Sequence, residues 1–206
     1  MKDFARLWNA KYKTKGLDVD YSIQIDHAEK KVYLMFFGTN SKIDWKTNFK
    51  LPCKVYKNQK SCLRFHRGYI EAWKSCNDEI ILEYSEKIID WSYQPVIMGH
   101  SMGAALAILA AEDLHYKTGI KPIVITFGAV KMMGDKKTQK YITDIIHEDS
   151  CTINNRNDIV PLAIPFYYGM KKIVKFGRFN LNRFFFHIKE EHNSTYLYTY
   201  LCGNDF

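Results

Sequence analysis

The stretch Val96-Ile97-Met98-Gly99-His100-Ser101-Met102-Gly103-Ala104-Ala105-Leu106-Ala107 decides how this chain folds. The apolar run after Pro95 reads as a short buried strand. Gly99 to Gly103 reads as a turn too tight for most residues, and the run through Glu112 as a helix. A serine between two glycines, in Gly-His-Ser-Met-Gly, is the G-x-S-x-G pattern of a nucleophile elbow. Such a turn strains the serine's backbone and lifts its Oγ over the edge of the sheet. The glycines lack a Cβ, so strand and helix can nearly touch beneath it. Ala104 and Ala105 keep the next helical turn equally thin.

Upstream, Tyr21-Ser-Ile-Gln-Ile alternates apolar and polar residues, Asp26 to Lys30 supplies a turn, and Lys31-Val-Tyr-Leu-Met-Phe-Phe follows. The pair predicts an antiparallel hairpin, with His27 solvated at its tip. Residues 1–16 are polar and lysine-rich and read as a short helix or an arm. Apolar positions Ile80, Ile81, Tyr84, Ile88 and Ile89 share one helical face, which predicts one amphipathic helix from Gly68 to Asp90. Downstream, the helix after the elbow runs to Lys117, where Thr118-Gly119 ends it. Pro122 to Phe127 is a continuous apolar strand, as expected for one covered on both faces. A weaker helix over 134–146 and a strand over 150–154 follow. This alternation predicts an α/β fold: a mostly parallel sheet, an antiparallel N-terminal hairpin and helices on both faces. No linker or repeat interrupts it, so residues 1–206 are read as one domain.

From Pro161 the texture changes to an irregular, proline-punctuated loop. Residues 171–179 and 182–188 read as two hairpin strands, and Glu190 onward as the last helix. Phe166 to Phe186 mixes aromatic residues with Lys171, Lys172, Lys175, Arg178 and Arg183. Aromatic anchors beside cations suit an anionic membrane surface; a solvated hairpin is the other reading.

The chain has 206 residues, 30 Lys and Arg against 22 Asp and Glu, and a net charge of +8. A basic balance favours anionic partners, but no nucleic-acid motif or basic arm accompanies it. The five cysteines are odd in number and include no C-x-x-C pair, which argues against a metal site or a disulfide framework. The opening residues lack the apolar core of a signal peptide, and no stretch of about 20 apolar residues is present. A cytoplasmic chain is expected, with no cofactor and no metal. Oligomeric state is not encoded in any recognisable pattern.

A serine hydroxyl needs a base to take its proton, and the base needs a carboxylate to set its tautomer. On a sheet of this kind the chain order is Ser, then Asp or Glu, then His. Asp158 lies in Asn155-Arg-Asn-Asp-Ile-Val-Pro, a loop at the C-terminal end of a strand, and is the preferred acid. Asp135 is the rival, one strand early, and Asp149 precedes a strand. Of seven histidines, His187 and His192 follow the acid. His192, in a polar stretch opening the last helix, is preferred; His187 ends an aromatic strand. His100 is read as packing beside the elbow. For the oxyanion, Gly38-Thr39 ends a strand where the backbone can bend sharply. Thr39 and the N–H of Met102 are the expected donors.

Four blocks occur in order: Phe36-Phe-Gly-Thr-Asn-Ser-Lys-Ile-Asp-Trp, His66-Arg-Gly-Tyr, Gly99-His-Ser-Met-Gly-Ala-Ala-Leu-Ala and Asn155-Arg-Asn-Asp-Ile-Val-Pro. His192 with Tyr196-Leu197 forms a fifth. Together they resemble the class 3 lipases, the group of the fungal triacylglycerol lipases and related esterases. The resemblance implies an α/β-hydrolase fold, Ser101, Asp158 and His192 as triad, Thr39 and Met102 as oxyanion donors, and a lipid ester as substrate. Phe37 stands where the family usually has arginine. The segment with Ile43, Trp45 and Phe49 matches the place of a lid; a packed structural turn at Asp44-Trp45 is the other reading. A non-catalytic lipid- or membrane-binding protein on the same fold is the alternative expectation.

Overall fold

The computed structural model describes residues 11–38, 53–57, 62–162 and 166–192. Strands β1 (Lys13–Lys15), β2 (Val19–Asp26) and β3 (Lys31–Phe36) form an antiparallel meander. Strands β4 (Cys53–Lys57) and β5 (Cys62–His66) pair as a separate hairpin. Beyond β3 the main sheet turns parallel. Strand β6 (Gln94–His100) adds to β3, β7 (Ile123–Phe127) to β6, β8 (Cys151–Asn155) to β7, and β9 (Ile173–Phe176) to β8. Among the described residues the sheet has seven strands, with β6 at its centre.

Four helices pack into one large apolar cluster on one face: α1 (Arg67–Lys74), α2 (Asn77–Trp91), α3 (Met102–Thr118) and α4 (Lys136–Ile145). Helix α2 contributes Ile80, Ile81, Tyr84 and Ile88 of the predicted stripe; Ile89, one step further round the helix, faces solvent. Helix α3 is buried from Gly103 to Leu114, so it needs an apolar surface all round rather than a stripe. The opposite face carries Tyr33, Met35, Val96, Met98, Phe127 and Ile153, all buried as well. The sheet is therefore apolar on both sides, as the continuous β6 and β7 sequences require. Among the described residues no helix is long and apolar enough to cross a membrane.

Buried Asp113 of α3 knits the helical layer together. It accepts from Tyr56 Oη (2.5 Å), Trp73 Nε1 (2.7 Å) and Asn77 Nδ2 (3.1 Å). Three donors from three elements replace the water this carboxylate loses. Burial and the adjacent Asp113 charge push the Tyr56 phenol well above its ordinary pKa.

Three predicted elements differ. The helix expected over 68–90 is broken at Ser75, whose Oγ donates to the Ala72 carbonyl (2.7 Å) and accepts from the Leu17 N–H (2.8 Å). A side chain that bonds locally and to a distant segment competes with the helical ladder there. The lysine-rich arm supplies β1, held by Lys13–Glu83 and Lys15–Glu79 ion pairs of 2.7 Å each. Residues 182–186 and 188 are helical rather than extended, with His187 between the two helices. Helices α5 (Leu181–Phe186) and α6 (Ile188–His192) follow Asn180, whose Oδ1 caps the Arg183 N–H at 3.1 Å. Strand β9 consequently has no hairpin partner among the described residues and lies parallel to β8 at the sheet edge.

Candidate active site

Ser101 joins β6 to α3 with φ 55° and ψ −119°. A non-glycine residue in that region carries about 1–3 kcal/mol of strain. The surroundings hold it there. Its N–H donates to the Phe127 carbonyl (2.9 Å), and its carbonyl accepts from the Ala104 N–H (3.1 Å). Both glycines are required by contact. A Cβ at Gly99 would lie 2.1 Å from the Gly103 carbonyl oxygen, and one at Gly103 would lie 2.5 Å from that of Phe36. Strand β3, the elbow and the first turn of α3 thus touch backbone to backbone. Ser101 occupies the N-cap position without making a side-chain cap, so the helix does not use its hydroxyl.

That hydroxyl lies 2.8 Å from His192 Nε2, and His192 Nδ1 lies 2.8 Å from Asp158 Oδ2. Ser101, Asp158 and His192 are 6%, 4% and 5% exposed, so the line is shielded from bulk water. A carboxylate only accepts, so Nδ1 carries the proton and the Nε2 lone pair faces the serine. Asp158 Oδ1 accepts from the Val160 N–H at 2.9 Å, which fixes the carboxylate on the loop after β8. The serine and the acid both stand at carboxyl ends of parallel strands, where open α/β sheets place their sites.

Two further contacts hold His192. From the elbow side, His100 Nε2 donates to the His192 carbonyl at 2.8 Å. Burial, with His192 beside it, lowers the His100 pKa to about 3; the ring stays neutral and donates. From the other side, buried Glu191 accepts from Asn155 Nδ2 at 2.5 Å and pairs with the Arg183 guanidinium. Asn157 adds a tie to the chain after β9: its Nδ2 donates to the Arg178 carbonyl (3.1 Å) and its Oδ1 accepts from the Asn180 N–H (2.7 Å).

A serine, imidazole and carboxylate in hydrogen-bonded series at an elbow can activate a hydroxyl against an acyl carbon. Comparison with known proteins places this arrangement. The profile of the family described as Lipase (class 3) matches residues 33–168. The chain belongs to the class 3 lipase family. Secreted mono- and diacylglycerol lipase A of Penicillium cyclopium is 32% identical over 142 residues, 68% of this chain and 45% of that protein. The solved structure of MDLA from Penicillium cyclopium superposes with a TM-score of 0.69 at 26% identity, covering 84% of this chain and 64% of that one. Rhizomucor miehei triacylglyceride lipase gives 0.70 at 20% identity, covering 80% and 64%. This chain spans about half the length of the curated relatives it matches.

The rivals for the expected acid and base have other employment. Asp135 caps α4, accepting from the Thr138 N–H at 2.7 Å. Asp149 lies on the surface, 3.4 Å from His147. His187 ends α5 and is exposed. Of the expected oxyanion donors, Met102 opens α3 beside Ser101. Thr39 lies outside the described residues, as do Ile43, Trp45 and Phe49. Its neighbour Gly38 does adjoin the elbow: a Cβ there would lie 3.6 Å from Ser101 Cβ. Phe37, in the place of the family's usual arginine, sets its ring against Tyr12 with centroids 5.4 Å apart. Sequence reasoning missed Glu191 and Asn155. A carboxylate beside the candidate base in a helix-opening stretch was the available signal.

Proposed function

We propose that this chain, acting as one domain, hydrolyses carboxylic esters of lipids, acylglycerols or phospholipids, through an acyl-serine intermediate. The observation that carries the reading is the line from Ser101 Oγ through His192 to Asp158. His192 Nε2 takes the serine proton as Oγ attacks the ester carbonyl. The tetrahedral oxyanion is held by the N–H groups of Thr39 and Met102, each worth roughly 3 kcal/mol. Collapse expels the alcohol, which receives the proton from Nε2. Water then repeats the sequence on the acyl-serine, releasing the acid and restoring the hydroxyl. Asp158 keeps the imidazole in the required tautomer and stabilises its cation without taking its proton.

The mono- and diacylglycerol activity carried in the names of relatives supports a lipid ester as substrate. Peripheral contact with an anionic membrane surface belongs to the same reading. Cysteine usage supports a cytoplasmic location. A fluorophosphonate probe tests the chemistry. It should label the parent protein at Ser101 and leave the Ser101→Ala protein unlabelled, and that substitution should abolish turnover of an acyl-ester series with the fold intact. Binding of lipid without labelling or turnover would establish the non-catalytic alternative.

A further inference from the structure

We propose that strand β9, the turn after it and helix α5 form a docking face for an anionic lipid bilayer, set beside the elbow so that the protein works on lipid held in the surface. This deepens the ester-hydrolase reading and rests on it for its purpose, not for its binding.

Residues 166–187 contain five cations and no aspartate or glutamate. Within and beside them, apolar side chains stand in water: Leu162 is 55% exposed, Phe179 57%, Leu181 64% and Phe185 53%. The aromatic ones are contiguous, with Phe179–Phe184 centroids at 5.5 Å and Phe184–Phe185 at 5.1 Å. Leu162 and Phe179 also meet Arg156 and Lys175 around a cleft of about 200 Å³. Cations and exposed apolar groups around one cleft match the two chemistries of a leaflet, phosphates outside and acyl chains within. Neither feature suffices alone. Basic side chains without apolar anchors bind weakly and reversibly, and apolar anchors without charge have no preference among lipids.

The face is also attached to the site. Asp158, the carboxylate bonded to His192, lines the same cleft. Asn157, next to it, holds the Arg178 carbonyl and the Asn180 N–H. Arg183 at the start of α5 pairs with Glu191, the neighbour of His192. A surface gripping Phe179 and Lys175 is therefore gripped by the loops that hold the acid and the base.

The Ser101→Ala protein separates docking from turnover. In co-sedimentation it should partition onto vesicles of phosphatidylcholine mixed with phosphatidylserine and not onto phosphatidylcholine alone, and added salt should release it. Phe179→Ser should lower partitioning about ten-fold through lost apolar burial. Lys175→Gln should lower it about five-fold, the Boltzmann factor of the ~1 kcal/mol contributed by one basic side chain at an anionic leaflet. Lys117→Gln, at the other end of α3 and about 24 Å away by helix rise, serves as a control expected to change nothing. Circular dichroism and thermal melting check that each variant is folded. Equal partitioning onto neutral vesicles, none onto either, or equal losses from Lys117→Gln and Lys175→Gln would overturn the docking face. Docking by a parent protein that turns over no ester would instead remove the hydrolase reading and leave the face standing. Turnover of a soluble short-chain ester without vesicle binding would do the reverse.

Discussion

The elbow and the segment that carries His192 place their side chains by opposite means. Ser101 is positioned by contact between backbones. Gly99, Gly103 and the turn between them sit within a dozen consecutive residues, and close backbone contact with two backbone hydrogen bonds dictates the shape. His192 is positioned by polar bonds among residues scattered along the chain: His100 to its carbonyl, Asn155 to Glu191, Arg183 to Glu191. The first arrangement is rigid and intolerant of added atoms. The second tolerates changes of volume but depends on each partner being present. One end of the hydrogen-bonded line should therefore fail by overpacking, the other by lost hydrogen bonds.

The largest effect should come from adding one methyl group at the elbow. In Gly103→Ala, the new Cβ meets the Phe36 carbonyl oxygen at 2.5 Å and its carbon at 2.8 Å, both backbone atoms of β3. No rotamer relieves that clash, so β3 and α3 must separate. Overpacking of this kind costs about 3 kcal/mol or more, a large share of a domain's stability. Urea unfolding should show a midpoint shift of that size, or no folded protein at all. A variant as stable as the parent would mean that the elbow is not sterically fixed.

A smaller effect tests the bond between the two regions. The His100 pKa falls to about 3 in the folded state, against about 6.5 in the unfolded chain. Between those values the unfolded chain binds more protons, so stability rises with pH. The contribution is complete above about pH 6.5 and is lost as pH falls towards 3, with a slope of at most one proton. Buried His66, its pKa also lowered by desolvation, acts in the same direction. His100→Gln keeps an N–H near the His192 carbonyl and removes one titration. Its acid limb, followed by denaturant unfolding at each pH, should be shallower by about one proton. An unchanged slope would show that His100 is not held neutral by the fold.

The same contrast explains what could be read beforehand. The elbow, the sheet order and the loop of Asp158 follow from local periodicity, glycine spacing and strand ends, all short-range properties. What escaped reading is long-range. Ser75 breaks a helix whose apolar spacing is unbroken, because Leu17, 58 positions away, bonds to it. Lys13 to Lys15 become a strand because β2 offers an edge and α2 offers Glu79 and Glu83. The run Leu181 to Phe186 has strand-like composition and becomes a helix under the Asn180 cap. Nothing local marks Asp113 for burial; three donors from elsewhere enclose it. Asp158 and Asp135 were both plausible acids by position; the structure gives one to His192 and the other to a helix N-terminus.

The smallest effect belongs to Glu191, and it separates positioning from folding. Removing its carboxylate in Glu191→Ala leaves the buried Asn155 amide without its 2.5 Å acceptor and Arg183 without its partner. Asn155 keeps the Glu191 backbone carbonyl at 3.3 Å as a longer acceptor, so the lost bond costs about 1 kcal/mol, less than the clash at Gly103. The kinetic consequence should be disproportionate. A catalytic group displaced by about 1 Å can lose a hundredfold in rate, and His192 is the next residue along. We expect kcat to fall roughly ten- to a hundredfold with KM little changed, and fluorophosphonate labelling of Ser101 to slow in parallel. Glu191→Gln retains an oxygen for Asn155 and should recover most of the rate, though not the charge-assisted bond to Arg183. If Ala and Gln lose rate and stability in equal measure, Glu191 serves the fold as a whole. If Gln restores the rate while stability stays low, its oxygen toward Asn155 sets where the imidazole points, and the polar region is as exact in its way as the glycine elbow.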